Sequence, residues 1–353
     1  MKRFLSVLLA VVLCVSVMAC APTAAETTES VKPTDESAVE EAPAEETAAT
    51  KNDIKIGLIS GLTGFGDLSM NDQAMTGCEM CVSDYGVSYK AVEPKDTTQV
   101  LDMIQTFVKE GYQIIIMAVP DYDDILAEVA PQYPETQFMT IDSTMSMDNV
   151  MAVEYLTYQG SYLAGAAAAM VSKTNTIGAV GGMDLTAISR FVDAYFQGAK
   201  SINPDIKTIV KYVGTDYNAW ADTATAKSIT LDMIDNGCDV VFQIAGGAGL
   251  GTIEACKERG VWAIGVNSDQ EYIAPDTVLT SMLTVGENAI YEAVGAYVKD
   301  GTPFTGVFKA NLENSCVDIV YSSHFTAEQI TQLQDIRAKI ISGEIEVYDA
   351  VNP

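Results

Sequence analysis

Side chains that could bind a ligand are concentrated in short segments, each directly after an apolar run of the sequence. The clearest are Gly61 to Asn71, Asp142 to Thr144, Gly246 to Gly251 and Asn267 to Gln270. Their carboxylates, amides and exposed backbone groups favour hydrogen bonds to a small polar molecule. The sequence shows no recognisable pair of a catalytic nucleophile and a base, because the single histidine, His324, lies near the C-terminus beside an expected helix start.

Two glycine-rich loops resemble phosphate-binding loops only weakly. The loop from Gly61 to Asp67 lacks the Lys-Ser/Thr pair of a P-loop and places Asp67 where an anion would sit. The loop from Gly246 to Gly251 opens a helix whose first amides could bind an anion or polar groups. Each loop can be interpreted as a tight strand-to-helix turn or as a ligand contact, and the pattern leaves both open.

The other reactive side chains favour structural roles. Cys78 and Cys81 have the spacing of a redox or metal half-site, but no second pair completes it, so we expect buried thiols within a helix. Asp121, Asp123 and Asp124 could bind a cation, yet carboxylates at a helix start more often cap it. The sequence therefore predicts no metal and no cofactor, and an enzyme is the less favoured class.

The N-terminus has the layout of an export signal. A basic start is followed by an apolar run from Phe4 to Met18 and by Ala19 and Cys20, which predicts a signal peptide over 1–20. The four residues ending at Cys20 resemble a bacterial lipobox, which implies lipid attachment at Cys20; an ordinary signal cleaved nearby is the alternative. Residues 21–50 are mostly Ala, Thr, Glu and Pro, so we expect a disordered acidic tether.

Composition restricts the possible ligands and partners. The formal net charge of the chain is −28, which disfavours nucleic acid, anionic lipid and polyphosphates and favours a neutral or cationic small ligand. Residues 51–353 are long enough for two modest cores, so two lobes are expected.

Strand-like and helix-like runs alternate over this region, the pattern of an α/β fold with parallel sheets. We expect one lobe from 51–155 plus about 270–302, and a second lobe from 156–269 plus about 303–345. Ligands of such sheets bind outside the carboxyl ends of the strands, where the polar segments lie.

Several of these segments are similar, in order, to one family. Ser69-Met70-Asn71, Gln159 to Gly165, Gly181-Gly182-Met183, Ala245 to Gly251 and Ile264 to Gln270 resemble the basic membrane protein family of purine nucleoside receptor-like lipoproteins. The resemblance implies a type I periplasmic-binding-protein fold, with two Rossmann-like lobes joined by a three-crossover hinge. It also implies a substrate-binding protein that delivers a nucleoside-like ligand to an ABC permease and ATPase.

The resemblance also implies the binding residues. Nucleoside-binding members stack the base between two Phe side chains, read its polar edge with an Asp, and hold the ribose with an Asp and a Lys. By position, Asn71, Asp142 and Phe191 are retained in this chain, and Met70, Asn267 and Thr284 stand at altered positions of the same site. The expected ligand contacts are completed by Asp67, Gly246, Gly247 and Asp269.

Four of the matching positions depart from the nucleoside-binding pattern. Met70 replaces the first Phe, Asn267 the ribose-binding Asp and Thr284 the Lys, and Gly61 stands where nucleoside binders have an Asp.

Ligand binding is expected to close the two lobes about their hinge. We expect a monomer that is anchored outside the cytoplasm by its lipid and does not bind nucleic acid. Two other functions remain open: a sensor or adhesin with the same fold that does not serve transport, and a hydrolase that acts on a nucleoside or sugar through carboxylates alone.

Overall fold

The computed structural model describes residues 52–66 and 69–352; the signal segment, the tether, Cys20 and Asp67 lie outside the described residues. The strands of the described part are β1 Lys55–Ile59, β2 Ser88–Val92, β3 Ile114–Met117, β4 Gln137–Ile141, β5 Val150–Tyr155, β6 Thr176–Met183, β7 Lys207–Gly214, β8 Val240–Ile244, β9 Trp262–Asn267, β10 Val278–Thr284, β11 Gly306–Ala310 and β12 Val317–Ile319. The α-helices are α1 Met70–Tyr85, α2 Thr98–Lys109, α3 Asp123–Val129, α4 Thr157–Val171, α5 Thr186–Ile202, α6 Thr223–Asp235, α7 Gly249–Arg259, α8 Gly286–Asp300 and α9 Ala327–Ile341.

Local sequence explains why these elements form. The run Ile114–Met117 is buried at every position, as expected for a central parallel strand covered on both faces. In α2, Val100, Ile104 and Phe107 recur at helical spacing and are its buried residues. Helix α3 is short and has a 3-10 turn at either end, and Pro131, which has no N–H to donate, lies in the second turn.

The strands form two six-stranded sheets. The first has the order β11-β5-β4-β3-β1-β2 and the second the order β12-β10-β9-β8-β6-β7. All pairings between these strands are parallel except β10 with β12. Helices α1 and α8 pack together, as do α4 and α5 and also α6 and α7. The α/β fold with two parallel sheets is therefore confirmed.

The chain passes between the sheets three times. The passages lie between β5 and α4, between β10 and α8, and between β11 and β12. The expected lobe boundaries at 270 and 303 must be moved, because β10 belongs to the second sheet and β11 to the first. We name the bodies built on the two sheets the first and the second lobe.

The cysteines and the histidine of the described region are structural. Cys78, Cys81, Cys238, Cys256 and Cys316 are all free and buried. Burial raises the pKa of Cys81 to about 12, with the charge of Asp84 adding to it, so this thiol stays protonated near neutrality. His324 is half-buried: its Nε2 lies 2.7 Å from the carbonyl oxygen of Pro275, and its ring contacts Trp262.

No helix within 52–66 and 69–352 is both long and apolar enough to cross a membrane.

Candidate ligand-binding site

Two predicted contacts stand at equivalent places in the two sheets. Asp142 directly follows β4 of the first sheet, and Asn267 ends β9 of the second. Both have left-handed backbones, with φ of 59° and 67° respectively. Residues other than glycine adopt this region at a cost and do so most often where surrounding structure fixes them, which makes both strand ends candidates for function.

Asp142 is exposed as a residue although protein surrounds its carboxylate closely, a combination typical of a cleft wall. Burial raises its pKa above the ordinary value; the positive charge of Arg190 acts in the opposite direction, and Glu154 adds to the rise. Asp123 fixes the strand end by accepting hydrogen bonds from the hydroxyls of Thr140 and Ser143.

Asn267 and Thr284 are brought together at the ends of neighbouring strands. The carbonyl oxygen of Asn267 lies 3.5 Å from the hydroxyl of Thr284 and 3.3 Å from Nε2 of Gln73. The same Nε2 donates to the carbonyl oxygen of Thr284 at 2.6 Å. Gln73 belongs to α1 of the first lobe, so these bonds cross between the lobes.

Tyr155 links this group to Asp142. Burial raises the pKa of Tyr155, and the charge of Asp142 contributes to the rise, so the phenol and the carboxylate lie within electrostatic reach. A side chain at Gly286 would place its Cβ 2.6 Å from the Tyr155 hydroxyl and 3.3 Å from Oε1 of Gln73, so glycine is required there. Tyr155 and Gln73 thus lie together beside Gly286 at the crossover between β10 and α8, and Gln73 connects them to Asn267.

Three hydroxyls near the first crossover, those of Tyr155, Thr157 and Ser161, are buried and have no hydrogen-bond partner within the described part of the chain. Buried polar atoms are rarely left unsatisfied in folded proteins, so each calls for water or a ligand atom.

The residues near β1 hold the loop that follows it. Asn71 is buried; its Oδ1 accepts from the Gly61 amide at 2.7 Å and its Nδ2 donates to the Thr63 hydroxyl at 3.0 Å. A Cβ at Gly61 would lie 2.9 Å from Val119, which explains why no Asp fits there without rearrangement. Met70 packs against the hydrophobic cluster on the side of the first sheet that contains Val119.

The second lobe contributes two aromatic side chains. Phe191 in α5 is half-buried against the main core. Trp220, which sequence reasoning missed, lies across the carboxyl edge of the second sheet: a Cβ at Gly182 would be 2.4 Å from its ring, and one at Gly246 would be 3.5 Å away. Its position in a polar segment after β7 was the available signal. Gly246 and Gly247 are exposed beside it.

Asp269 is placed differently from the other predicted contacts. It is exposed, and its Oδ1 accepts from the amide of Glu271 at 3.0 Å, so it caps the short turn before β10. Among the described residues, no group of three His, Cys, Asp or Glu side chains could hold a metal ion.

Arg190, also missed from the sequence, joins the lobes beside Asp142. Its Nη2 donates to Glu154 of β5 at 2.9 Å and to Asp349 at 2.8 Å, and its Nη1 donates to the carbonyl oxygen of Tyr155 at 3.1 Å. Lys309 of β11 also pairs with Glu154. These four charged side chains line a crevice of about 740 Å³ under the C-terminal segment 345–352, separate from Asp142 and Asn267.

Comparisons with known proteins agree with this architecture. A family model described as "ABC transporter substrate-binding protein PnrA-like" matches residues 58–350. The chain is similar to the ABC transporter nucleoside-binding protein BmpA of Lactococcus lactis subsp. cremoris, with 29% identity over 84% of this chain and 90% of that protein. It is 28% identical to Basic membrane protein A of Borreliella burgdorferi, over 83% of this chain and 87% of the relative.

A solved structure shows the same fold at lower identity. The ABC transporter solute-binding protein from Aeropyrum pernix K1 superposes with a TM-score of 0.69 at 23% identity, over 84% of this chain and 93% of that chain. The family model covers both lobes and all three crossovers. This chain therefore belongs to the PnrA-like family of ABC transporter substrate-binding proteins, which are not enzymes.

Proposed function

We propose that this protein captures a nucleoside between its two lobes and presents it to the permease and ATPase of an ABC importer. The observation that carries the proposal is the placement of Asp142 and Asn267, two left-handed strand ends at equivalent positions in the two sheets, together with the buried, unpartnered Tyr155 hydroxyl beside the crossover. The name of the Lactococcus lactis relative, a nucleoside-binding protein, supports the same ligand class.

Each group has a defined role in this proposal. An ionised Asp142 accepts hydrogen bonds from the N–H groups of the base, which are donors without charge. The side-chain amide of Asn267 both donates to and accepts from ribose hydroxyls. The rings of Phe191 and Trp220 provide flat apolar surface for the base, since stacked aromatic pairs contribute about 0.5–1.5 kcal/mol beyond their buried area.

Charge selects against phosphorylated ligands. The cationic group that acts on Asp142 is Arg190, and its donors are already used by Glu154 and Asp349. Thr284 supplies a hydroxyl where nucleoside binders supply a lysine, so the site loses a positive charge. With a net chain charge of −28, a nucleoside is favoured over a nucleotide.

We further propose that the protein acts outside the cytoplasm as a monomer, anchored by a lipid on Cys20 and lifted from the membrane by residues 21–50. The basic membrane protein relatives support membrane association. A thirty-residue flexible tether reaches about 30 Å, enough to clear the lipid headgroups.

The test is a thermal-shift panel on residues 51–353, using adenosine, guanosine, inosine, cytidine, free bases, ribose and AMP. A nucleoside bound with micromolar affinity stabilises the protein by about 4 kcal/mol at millimolar concentration. We expect at least one nucleoside to raise the melting temperature clearly, and AMP to raise it much less.

Calorimetry at fixed temperature controls for unspecific stabilisation and gives the stoichiometry, expected to be one per chain. A panel in which only free sugars or phosphorylated compounds shift the melting temperature contradicts the nucleoside assignment.

A further inference from the structure

Gln73 connects the two lobes through its side-chain amide. It lies in α1 of the first lobe, and its Nε2 reaches the carbonyl oxygens of Asn267 and Thr284 in the second, at 3.3 and 2.6 Å. Its Oε1 accepts from the amide of Gly286, the first residue of α8, at 3.3 Å. One amide therefore binds three backbone groups around one crossover.

These bonds bear directly on the strained backbone of Asn267. Its carbonyl oxygen lies near two donors, Gln73 Nε2 at 3.3 Å and the hydroxyl of the buried Thr284 at 3.5 Å. A left-handed conformation at a residue other than glycine persists where neighbouring groups fix it. Gln73 supplies that constraint from the opposite lobe.

A hinge rotation would affect the contacts unequally. Thr284 and Gly286 flank the crossover itself, where displacement is smallest, so their bonds to Gln73 survive a rotation. Asn267 lies one strand farther from the crossover, paired with Leu283 of β10, so a rotation moves it farther than Thr284. We therefore expect the Gln73–Asn267 bond to be the first of the three to lengthen when the lobes separate.

We propose that Gln73 is a latch: it positions Asn267 for ligand and stabilises lobe closure before ligand arrives. The positioning part rests on the nucleoside function proposed above, whereas the closure part is independent of any ligand. A ligand that selects the closed form binds more weakly when that form is less populated. Gln73 thereby acts on affinity without touching the ligand.

The test uses Gln73→Met, which keeps the length of the side chain and removes the amide. Small-angle X-ray scattering of the ligand-free protein should give a larger radius of gyration than the wild type. Inosine affinity, measured by calorimetry, should fall about fivefold, the effect of losing one modest hydrogen bond. The matched control is Gln99→Met in α2, whose exposed amide bonds only locally to the Lys95 amide at 2.9 Å.

An unchanged radius of gyration overturns the latch, including the case in which Gln73→Met only lowers the melting temperature. If inosine and the other nucleosides do not bind the wild type, the proposed function fails, while the scattering result still decides the latch. Gln73→Asn, whose amide is one methylene too short to reach Asn267, repeats both measurements if Gln73→Met does not give the circular dichroism of the wild type.

Discussion

At the scale of single residues, the charge of Asp142 serves the proposed ligand binding but lowers the stability of the folded protein. Its pKa is raised mainly by burial, so the folded protein binds its proton more tightly than the unfolded chain does. Stability therefore decreases as the pH rises from the unfolded value of about 3.9 through the raised folded value. We expect Asp142→Asn to remove this decrease and to stabilise the ligand-free protein near neutrality, as measured by urea denaturation across pH.

The same substitution should weaken nucleoside binding about tenfold or more, since a hydrogen bond to a charged group contributes about 1.5–3 kcal/mol. Asp335→Asn is the control, because Asp335 is of the same residue type and lies on the exposed face of α9, where it pairs with Lys339. Equal losses in the two variants, or none in Asp142→Asn, would show that Asp142 does not contact the ligand.

At the scale of elements, the buried ion pairs at strand β5 are expected to stabilise the fold. Arg190, Glu154 and Asp349 have side chains only 8, 6 and 11% exposed. Removing one partner of a buried ion pair leaves an uncompensated charge and costs about 3–5 kcal/mol. We expect Arg190→Met to lower the free energy of unfolding by that amount in urea denaturation.

Arg259→Met serves as the comparison, because Arg259 pairs with Asp235 on the surface with side chains 37 and 58% exposed. Its effect should stay below about 1 kcal/mol. Similar losses for both variants would mean that the Arg190 cluster does not stabilise the crossover.

This cluster also explains the strand that the sequence pattern did not reveal. The sequence predicts alternating strands and helices, but the pattern does not reveal β5, because Glu154 interrupts its apolar run. Glu154 can be buried only because Arg190 and Lys309 neutralise it, from 36 and 155 positions away. A partner so distant leaves no local signal.

The lobe boundaries failed for a related reason. A parallel pair normally needs a helical crossover, but β9 and β10 are joined by residues 268–277, which contain only the short turn Glu271–Ile273. The alternation of strands and helices therefore does not reveal that β10 belongs to the second sheet. Of the candidate site, the strand-end positions could be predicted from topology and resemblance. Gln73, Tyr155 and Trp220 could not, because their importance lies in contacts between segments distant in the chain.

At the scale of the whole molecule, the N-terminal segment predicts that a lipid anchors the protein to the membrane. If Cys20 carries the lipid, Cys20→Ala should move the protein from the membrane fraction to the soluble fraction or leave it uncleaved, because two or more acyl chains are needed for stable anchoring. Cell fractionation with immunoblotting measures this outcome.

Cys14→Ala is the matched control, since Cys14 lies inside the apolar run of the signal and should not affect anchoring. A Cys20→Ala protein that is cleaved like the wild type and retained equally in the membrane fraction would contradict lipid attachment at Cys20.

The five buried thiols, from Cys78 to Cys316, should not react with maleimides while the protein is folded. Each is buried and free, so one cysteine placed on the surface of each lobe would be labelled selectively by a dye pair. Energy transfer between the dyes would then follow each opening and closing event in real time on the otherwise natural protein.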